Sequence, residues 1–287
     1  MRPNNRLGTL GVPKLRAHLT PRDEAILRSI SQHKFLTTNH LHDLHFWNHA
    51  SRVSSIRACT RVLTRLEGHR LIRRLDRTVG GHGGGSTAAV WSIDAAGDRV
   101  VRALEGRNPN SRSRAYEPSL QFLDHTLAIA DTRIRLERLA RVGHIELLDV
   151  ATEPTNWRPF SARGRPQTLK PDLHAVTASG DYEDAWFIEV DRGTESLPVL
   201  LSKCHYYQRF YATNLEQERS GIFPVVLWII PGQTRRHRLT DCISTDPKLD
   251  ARLFRIIANE DLEAAITGPE PISTPVERLA LEKGEAL

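Results

Sequence analysis

Leu169-Lys170-Pro171-Asp172-Leu173-His174-Ala175-Val176 alternates in character like a strand, Ser179-Gly180-Asp181 reads as a turn, and Ala185-Trp186-Phe187-Ile188-Glu189-Val190-Asp191 returns as a second strand. An antiparallel hairpin turning between Gly180 and Asp181 sets Asp172 opposite Glu189. Directly opposed side chains have Cβ atoms about 5 Å apart, close enough for two carboxylates to share one divalent cation. Period two puts Asp191 on the face of Glu189. Opposed like charges are unfavourable without a compensating cation, so a metal would explain the pairing. The competing reading is a register slip of one residue, which would turn Asp172 to the other face and leave two unrelated surface acids.

The flanking elements give the hairpin a context. Ser119 to Arg141 has Leu120, Leu123, Leu127, Ala130 and Ile134 at helical spacing, and His144 to Val150 reads as a strand. Glu195 to Thr213 reads as a helix, Phe223 to Ile230 as a buried strand closed by Pro231-Gly232, and a further helix is expected near Pro247 to Asn259. This αβββαβ order, with Pro171-Asp172 on the second strand and Glu189 on the third, resembles the PD-(D/E)xK nuclease superfamily. The resemblance implies that Asp172 and Glu189 hold Mg²⁺, or Mn²⁺ in its place, against a scissile phosphate. It also implies a lysine two residues after the second acid that orients or activates water.

That lysine position holds Asp191, followed by Arg192. Some members of the superfamily move their lysine to the next helix, and here Lys203 could reach back toward the carboxylates. The chain has only 6 Lys against 34 Arg, so a lysine there is less often incidental. Tyr207 shares its helix face at i+4, with Tyr206 and Gln208 alongside. The candidate catalytic residues are thus Asp172, Glu189, Lys203 and Asp191, the last as a third ligand or as a structural acid paired with Arg192. The bland reading of Lys203 is a solvated lysine beside aromatic core packing.

Charge divides the chain. Residues 1–115 carry 20 Lys and Arg against 8 Asp and Glu, while residues 116–287 carry 20 against 26. A strongly basic first half suits a polyanion, either nucleic acid or an anionic membrane surface, with simple solubility as the alternative. No window approaches the roughly 18 uninterrupted apolar residues of a membrane span, and Met1 to Leu10 lacks a secretory apolar run. A cytoplasmic location and no membrane partner are expected. Cys59, Cys204 and Cys242, odd in number and without a C-x-x-C pair, read as packing residues of a reduced compartment.

In the basic half, Thr20-Pro21-Arg22-Asp23-Glu24 is a helix start, and Thr37 or Thr38 caps a short second helix with Leu41 and Leu44. A third helix from Ser51 to Glu67 places Val53, Ile56, Leu63 and Leu66 on an apolar stripe and Arg57, Arg61 and Arg65 on a basic one. Leu71 to Asp76 and Ala89 to Asp94 follow as strands joined by a Gly-rich tip, Gly80 to Ser86. Three short helices and a hairpin form the winged helix-turn-helix arrangement. Its third helix would bring Arg57, Arg61 and Arg65 to bases or phosphates of double-stranded DNA, and its wing, with Arg73 and Arg74, would lie along the backbone. The alternative is a solvated arginine face on a protein-binding winged helix. The Gly-rich run lacks a following Lys-Ser/Thr and reads as a wing tip rather than a phosphate loop. His40, His42, His45 and His49 lack acid or Cys partners at metal spacing and read as surface or phosphate-contacting residues, with a zinc site as the lesser reading.

The expected organisation is therefore an N-terminal arm (1–19), a winged helix-turn-helix domain (20–104), a polar linker (105–116), a PD-(D/E)xK nuclease-like domain (117–266) and a loose tail (267–287) with at most a short helix at Val276 to Glu282. The fold class is α/β (α+β). This combination, with Phe122-Leu123-Asp124-His125 opening a helix, Lys170-Pro171-Asp172, Phe187-Ile188-Glu189-Val190-Asp191-Arg192-Gly193-Thr194, and Lys203 before Tyr206-Tyr207, resembles the replication-relaxation family of plasmid and mobile-element proteins. The resemblance covers roughly residues 20–230 and implies a role in plasmid replication, relaxation or transfer, with Asp191 as a usual residue of the family. A Mg²⁺-dependent DNA nicking or cleaving activity is the leading expectation. A non-catalytic DNA-binding accessory or regulator with a degenerate nuclease fold is the alternative, and a repressor with a ligand-sensing C-terminal domain is a third. Expected partners are double-stranded DNA, a second copy of the chain as a homodimer, and other plasmid replication or transfer proteins.

Overall fold

The protein is mixed α/β in the computed structural model, which describes residues 11–48, 51–79, 88–109, 117–162, 164–180 and 182–268. His49, the Gly80 to Gly85 run and the Val276 to Glu282 segment lie outside the described residues. The chain divides into two units, Met1–Ile134 and Arg135–Leu287.

The first unit runs α1 (Gly11–Ala17), α2 (Pro21–His33), β1 (Phe35–Thr37), α3 (Thr38–His45), α4 (Arg52–Gly68), β2 (Ile72–Val79), β3 (Ala88–Ile93) and α5 (Ala95–Leu104), then enters α6 (Leu120–Arg141). Helix α1 lies in the segment expected as an arm, and its Val12 is buried in the core. Thr20 begins α2 with a capping box: its hydroxyl accepts from the Asp23 N–H at 3.2 Å, and Asp23 Oδ2 accepts from the Thr20 N–H at 2.9 Å. Thr37 caps α3 in the same manner with His40. Strands β1, β3 and β2 form an antiparallel sheet in that order. Helix α4 is rotated from the expected stripe. Val53 is 63 % exposed and the buried face is Ser55, Cys59, Leu63 and Leu66. A serine can enter this core because its hydroxyl is satisfied there, donating to the Arg52 carbonyl at 2.9 Å and lying 2.7 Å from His42 Nε2. Gly97 in α5 lies where any Cβ would collide with the Leu71 carbonyl oxygen, which lets the helix close onto the start of β2.

The second unit continues α6 and adds β4 (Glu146–Ala151), β5 (Arg158–Ala162), β6 (Arg165–Leu169), β7 (Leu173–Ser179), β8 (Tyr182–Val190), α7 (Leu197–Tyr211), α8 (Leu215–Ser220), β9 (Val225–Ile230), α9 (Gln233–Thr245), β10 (Phe254–Ala258) and α10 (Leu262–Thr267). Its main sheet has the order β10-β9-β8-β7-β4. Strand β7 is antiparallel to β4 and β8, whereas β9 runs parallel to β8 and β10. Parallel neighbours need a crossover, and α7 and α9 supply it. The helix expected near Pro247 to Asn259 is corrected here. The helix is α9, which buries Leu239 and Ile243, an i, i+4 pair in an otherwise polar stretch. Phe254-Arg255-Ile256-Ile257-Ala258 instead pairs with β9 as an edge strand, as short β-branched runs do. A separate two-stranded hairpin, β5–β6, is inserted between β4 and β7.

The β7–β8 pairing sets Leu173 against Ile188 and His174 against Phe187, and Gly180, at positive φ, follows the end of β7. Being central, β8 is buried without alternation from Trp186 to Val190. Phe187, Val226, Trp228 and Ile230 pack with Leu200, Cys204, Tyr207 and Phe210 of α7 into one core. Each such large apolar side chain contributes about 1.5–3 kcal/mol by leaving water, so α7 is held firmly over this face of the sheet.

Candidate functional site

One step beyond the Leu173–Ile188 pair, Asp172 falls opposite Glu189. The Val190 N–H donates to Asp172 Oδ2 at 2.8 Å, which ties the first carboxylate to the strand that bears the second. Glu189 is only 3 % exposed. Tyr207 Oη donates to Glu189 Oε1 at 2.6 Å, and Lys203 Nζ lies 3.7 Å from Glu189 Oε2 and 3.4 Å from Glu195 Oε2. Lys203 and Tyr207, one turn apart on α7, thus approach one carboxylate together. Burial pulls the Lys203 ammonium toward neutrality, but Glu189, Asp172 and Glu195 outweigh it and hold its pKa above the ordinary lysine value. Burial, and then Glu189, push the Tyr207 hydroxyl well above the usual phenol range, so it remains a donor. Sequence reading placed Tyr207 on the Lys203 face without a role. It missed Glu195, whose place beside Lys203 depends on the turn from β8 into α7.

Asp191 has a different setting from Glu189 two residues earlier. Its partner is Arg235 of α9, which donates Nε to Oδ2 and Nη2 to Oδ1, and not the adjacent Arg192. The Gly193 N–H donates to Asp191 Oδ1 at 2.8 Å. Arg235 also donates to the Glu195 carbonyl, so this buried acid and one guanidinium shape the turn that delivers Glu195 to Lys203.

Among the described residues, no group of three or more His, Cys, Asp and Glu side chains is gathered closely enough to hold a metal ion. His40 Nε2 is 2.9 Å from Asp131, His45 Nε2 is 3.0 Å from Ser29, and His42 bridges Asp43 and Ser55. His40 and His42 are buried in these contacts, which corrects the expectation of surface or phosphate-contacting histidines for those two, while His45 is half-buried. The Asp43, His42, Ser55 line resembles a nucleophile triad, but Ser55 is buried and already donates to a carbonyl, so it is packing. The Asp172 and Glu189 pair is a set of another kind. Two carboxylates at one point suit Mg²⁺, which takes one or two protein carboxylates and fills its shell with water and substrate phosphate.

In the first unit the outer face of α4 carries Val53, Ser54, Arg57, Thr60, Arg61 and Thr64 along a shallow trough. Arg57 and Arg61 are exposed. Arg65 is not equivalent to them: its Nη2 donates to Oδ1 of the buried Asp23 at 2.6 Å, fastening α4 to α2. Burial alone would raise the Asp23 pKa, but the bonds from Arg65 and Thr20 outweigh it and hold the carboxyl below the usual carboxylate value. In the hairpin, Arg74 is exposed and Arg73 is 3.9 Å from Glu117.

The chain is thus a mixed α/β protein with an arginine-bearing helix face in one unit and a buried carboxylate and lysine cluster in the other. Residues 27–226 match the replication-relaxation family, and the chain belongs to it. This membership supports a role in the replication or relaxation of mobile elements. No curated protein and no solved structure matches the chain. No helix among the described residues is long and apolar enough to cross a membrane.

Proposed function

We propose that this chain is a DNA-binding protein of a plasmid or other mobile element, acting in its replication, relaxation or transfer, and that it nicks or cleaves DNA with Mg²⁺. In this reading the first unit is a winged helix-turn-helix that lays α4 in the major groove of double-stranded DNA, with Arg57 and Arg61 as the contacting arginines. The second unit is a PD-(D/E)xK-like domain. The observation that carries the activity is the Lys203 ammonium 3.7 Å from the buried Glu189 carboxylate that faces Asp172. Asp172 and Glu189 would hold the ion, which when bound supplies charge neutralisation at the phosphoryl oxygens. Tyr207 fixes the orientation of Glu189. Lys203, kept charged by its carboxylates, acts as an electrostatic stabiliser of the negative transition state rather than as a base. The deciding experiment is supercoiled-plasmid cleavage with Mg²⁺ or Mn²⁺ by the native protein, Asp172→Ala and Glu189→Gln. Nicked or linear product that disappears in both variants is the expected result, and intact plasmid bound by native protein under either metal would sink the activity.

One observation favours a second reading. Glu189 Oε1 is already engaged by Tyr207 at 2.6 Å, an arrangement that also serves a nuclease fold kept as a DNA clamp or dimerisation platform. A protein that binds DNA and leaves it whole would be such an accessory, with a second copy of the chain or other replication or transfer proteins as partners.

A further inference from the structure

The hairpin β5–β6 stands directly before Asp172 in the chain. Continuing its register outward from the Arg158–Leu169 pair sets Trp157 opposite Lys170, and Lys170 Nζ lies 4.1 Å from the centre of the Trp157 ring. Arg158, Phe160 and Leu169 are buried, while Trp157, Pro159, Ser161, Pro166 and Lys170 are exposed, as a two-faced ribbon requires. Trp157 keeps 36 % of its surface in solvent. A second aromatic and cation pair adjoins the hairpin: Arg209 Cζ is 4.9 Å from the Tyr206 ring centre, and Tyr206 Oη accepts from the Thr168 N–H at 3.2 Å.

The ribbon is anchored firmly. Asn156, fully buried, donates to the Pro171 carbonyl at 2.6 Å, and Arg158 is committed to Glu216 in a buried pair at 2.9 Å. Lys170 is two residues from Asp172, so their Cα atoms are within about 7 Å. Between Glu153 and Asp172 the chain has no acid but carries Arg158, Arg163, Arg165 and Lys170, in a half of the sequence that is acidic overall. Of these rings Trp157 is the exposed one, whereas Tyr206 packs edge-on against the buried Phe160; an exposed ring beside a cation accepts any base face, and a duplex keeps its base faces covered.

We propose that the outward face of β5–β6, centred on the exposed Trp157 and Lys170, binds an unpaired nucleic-acid strand and leads it to Asp172 and Glu189. This rests on the reading of the chain as a DNA-handling protein, and not on whether it cuts. The test uses the full chain and an end-labelled oligothymidylate, which cannot pair with itself, read by fluorescence anisotropy beside a duplex of mixed sequence. Trp157→Leu is expected to weaken oligothymidylate binding about tenfold or more, Trp157→Phe to retain most of it, and both to leave duplex affinity within about twofold. Crosslinks from 5-iododeoxyuridine in the oligonucleotide are expected in the peptide that contains Trp157. A Trp157→Leu protein that loses both ligands alike, or neither, overturns the proposal, as do crosslinks confined to α4. Native protein that binds neither ligand overturns the DNA reading itself, and this proposal with it.

Discussion

Asp23 in the first unit and Glu189 in the second are both buried carboxylates, and their surroundings differ in kind. Asp23 is closed by a guanidinium at 2.6 Å and by the N–H of its own capping box at 2.9 Å, a set that joins two helices. Glu189 meets a neutral hydroxyl and an ammonium 3.7 Å away that it shares with Glu195, all beside a second carboxylate at the end of the same hairpin. The first arrangement makes a buried charge serve stability. The second keeps like charges together, which folding alone does not favour and which a cation would resolve. Asp191 repeats the first pattern within the second unit through Arg235, so proximity in sequence does not decide the role.

The largest expected effect sharpens this contrast. Asp23→Ala removes the partner of Arg65 and half of a capping box, and should destabilise the protein by about 2–4 kcal/mol, read as a lower urea midpoint at unchanged slope. Glu189→Gln keeps shape and the bond to Tyr207 and should destabilise by about 1 kcal/mol or less. Equal losses in the two variants would erase the distinction between a structural and a functional carboxylate.

A smaller effect concerns pH. His33 is buried with neither ring nitrogen hydrogen-bonded, and burial, with Arg133 and His40 adding to it, holds its pKa at about 3. The folded value lies below the unfolded one, so the unfolded state takes up the proton first as pH falls. Stability linked to neutral His33 is therefore complete above the unfolded value of about 6.5 and declines toward about 3. The decline should be about 1.4 kcal/mol per pH unit at most, and His33→Leu should flatten it in urea titrations from pH 7 to 5. An unchanged pH slope in that variant would place the acid sensitivity elsewhere.

The smallest effect separates arginines on one helix. Arg57→Ala and Arg61→Ala should each reduce the slope of log DNA affinity against log salt by about one unit. Arg65→Ala should leave that slope unchanged while lowering stability, because its guanidinium is bonded to Asp23. A slope change for Arg65 like that of its neighbours would return it to the DNA-facing set.

Much of this was legible in the chain. Alternation along β7 and a Gly180 turn pointed to the β7–β8 register, because turn residues fix which positions pair across a hairpin, and the observed pairing follows it. Helical spacing found α2, α3, α4 and α6, and the i, i+4 relation of Lys203 and Tyr207 followed from it. The β5–β6 hairpin and β10 escaped because Pro159, Pro166 and single charges break short strands into segments too weak for periodicity to declare. Helix α9 escaped because only Leu239 and Ile243 mark its buried face.

By itself, then, the sequence determined the local periods and the helix starts, and it offered the opposition of Asp172 to Glu189 beside a one-residue slip, since these depend on contacts within a few residues or across one turn. Tertiary structure decided the rest. Which face of α4 is buried depends on whether His42 can satisfy Ser55, a contact between helices. Whether an arginine faces solvent or a buried acid depends on partners far along the chain, as with Arg65 and Asp23 or Arg235 and Asp191. Charge pairing over such separations leaves no periodic trace in the sequence, and it is what distinguishes the structural carboxylates of this protein from the candidate functional ones.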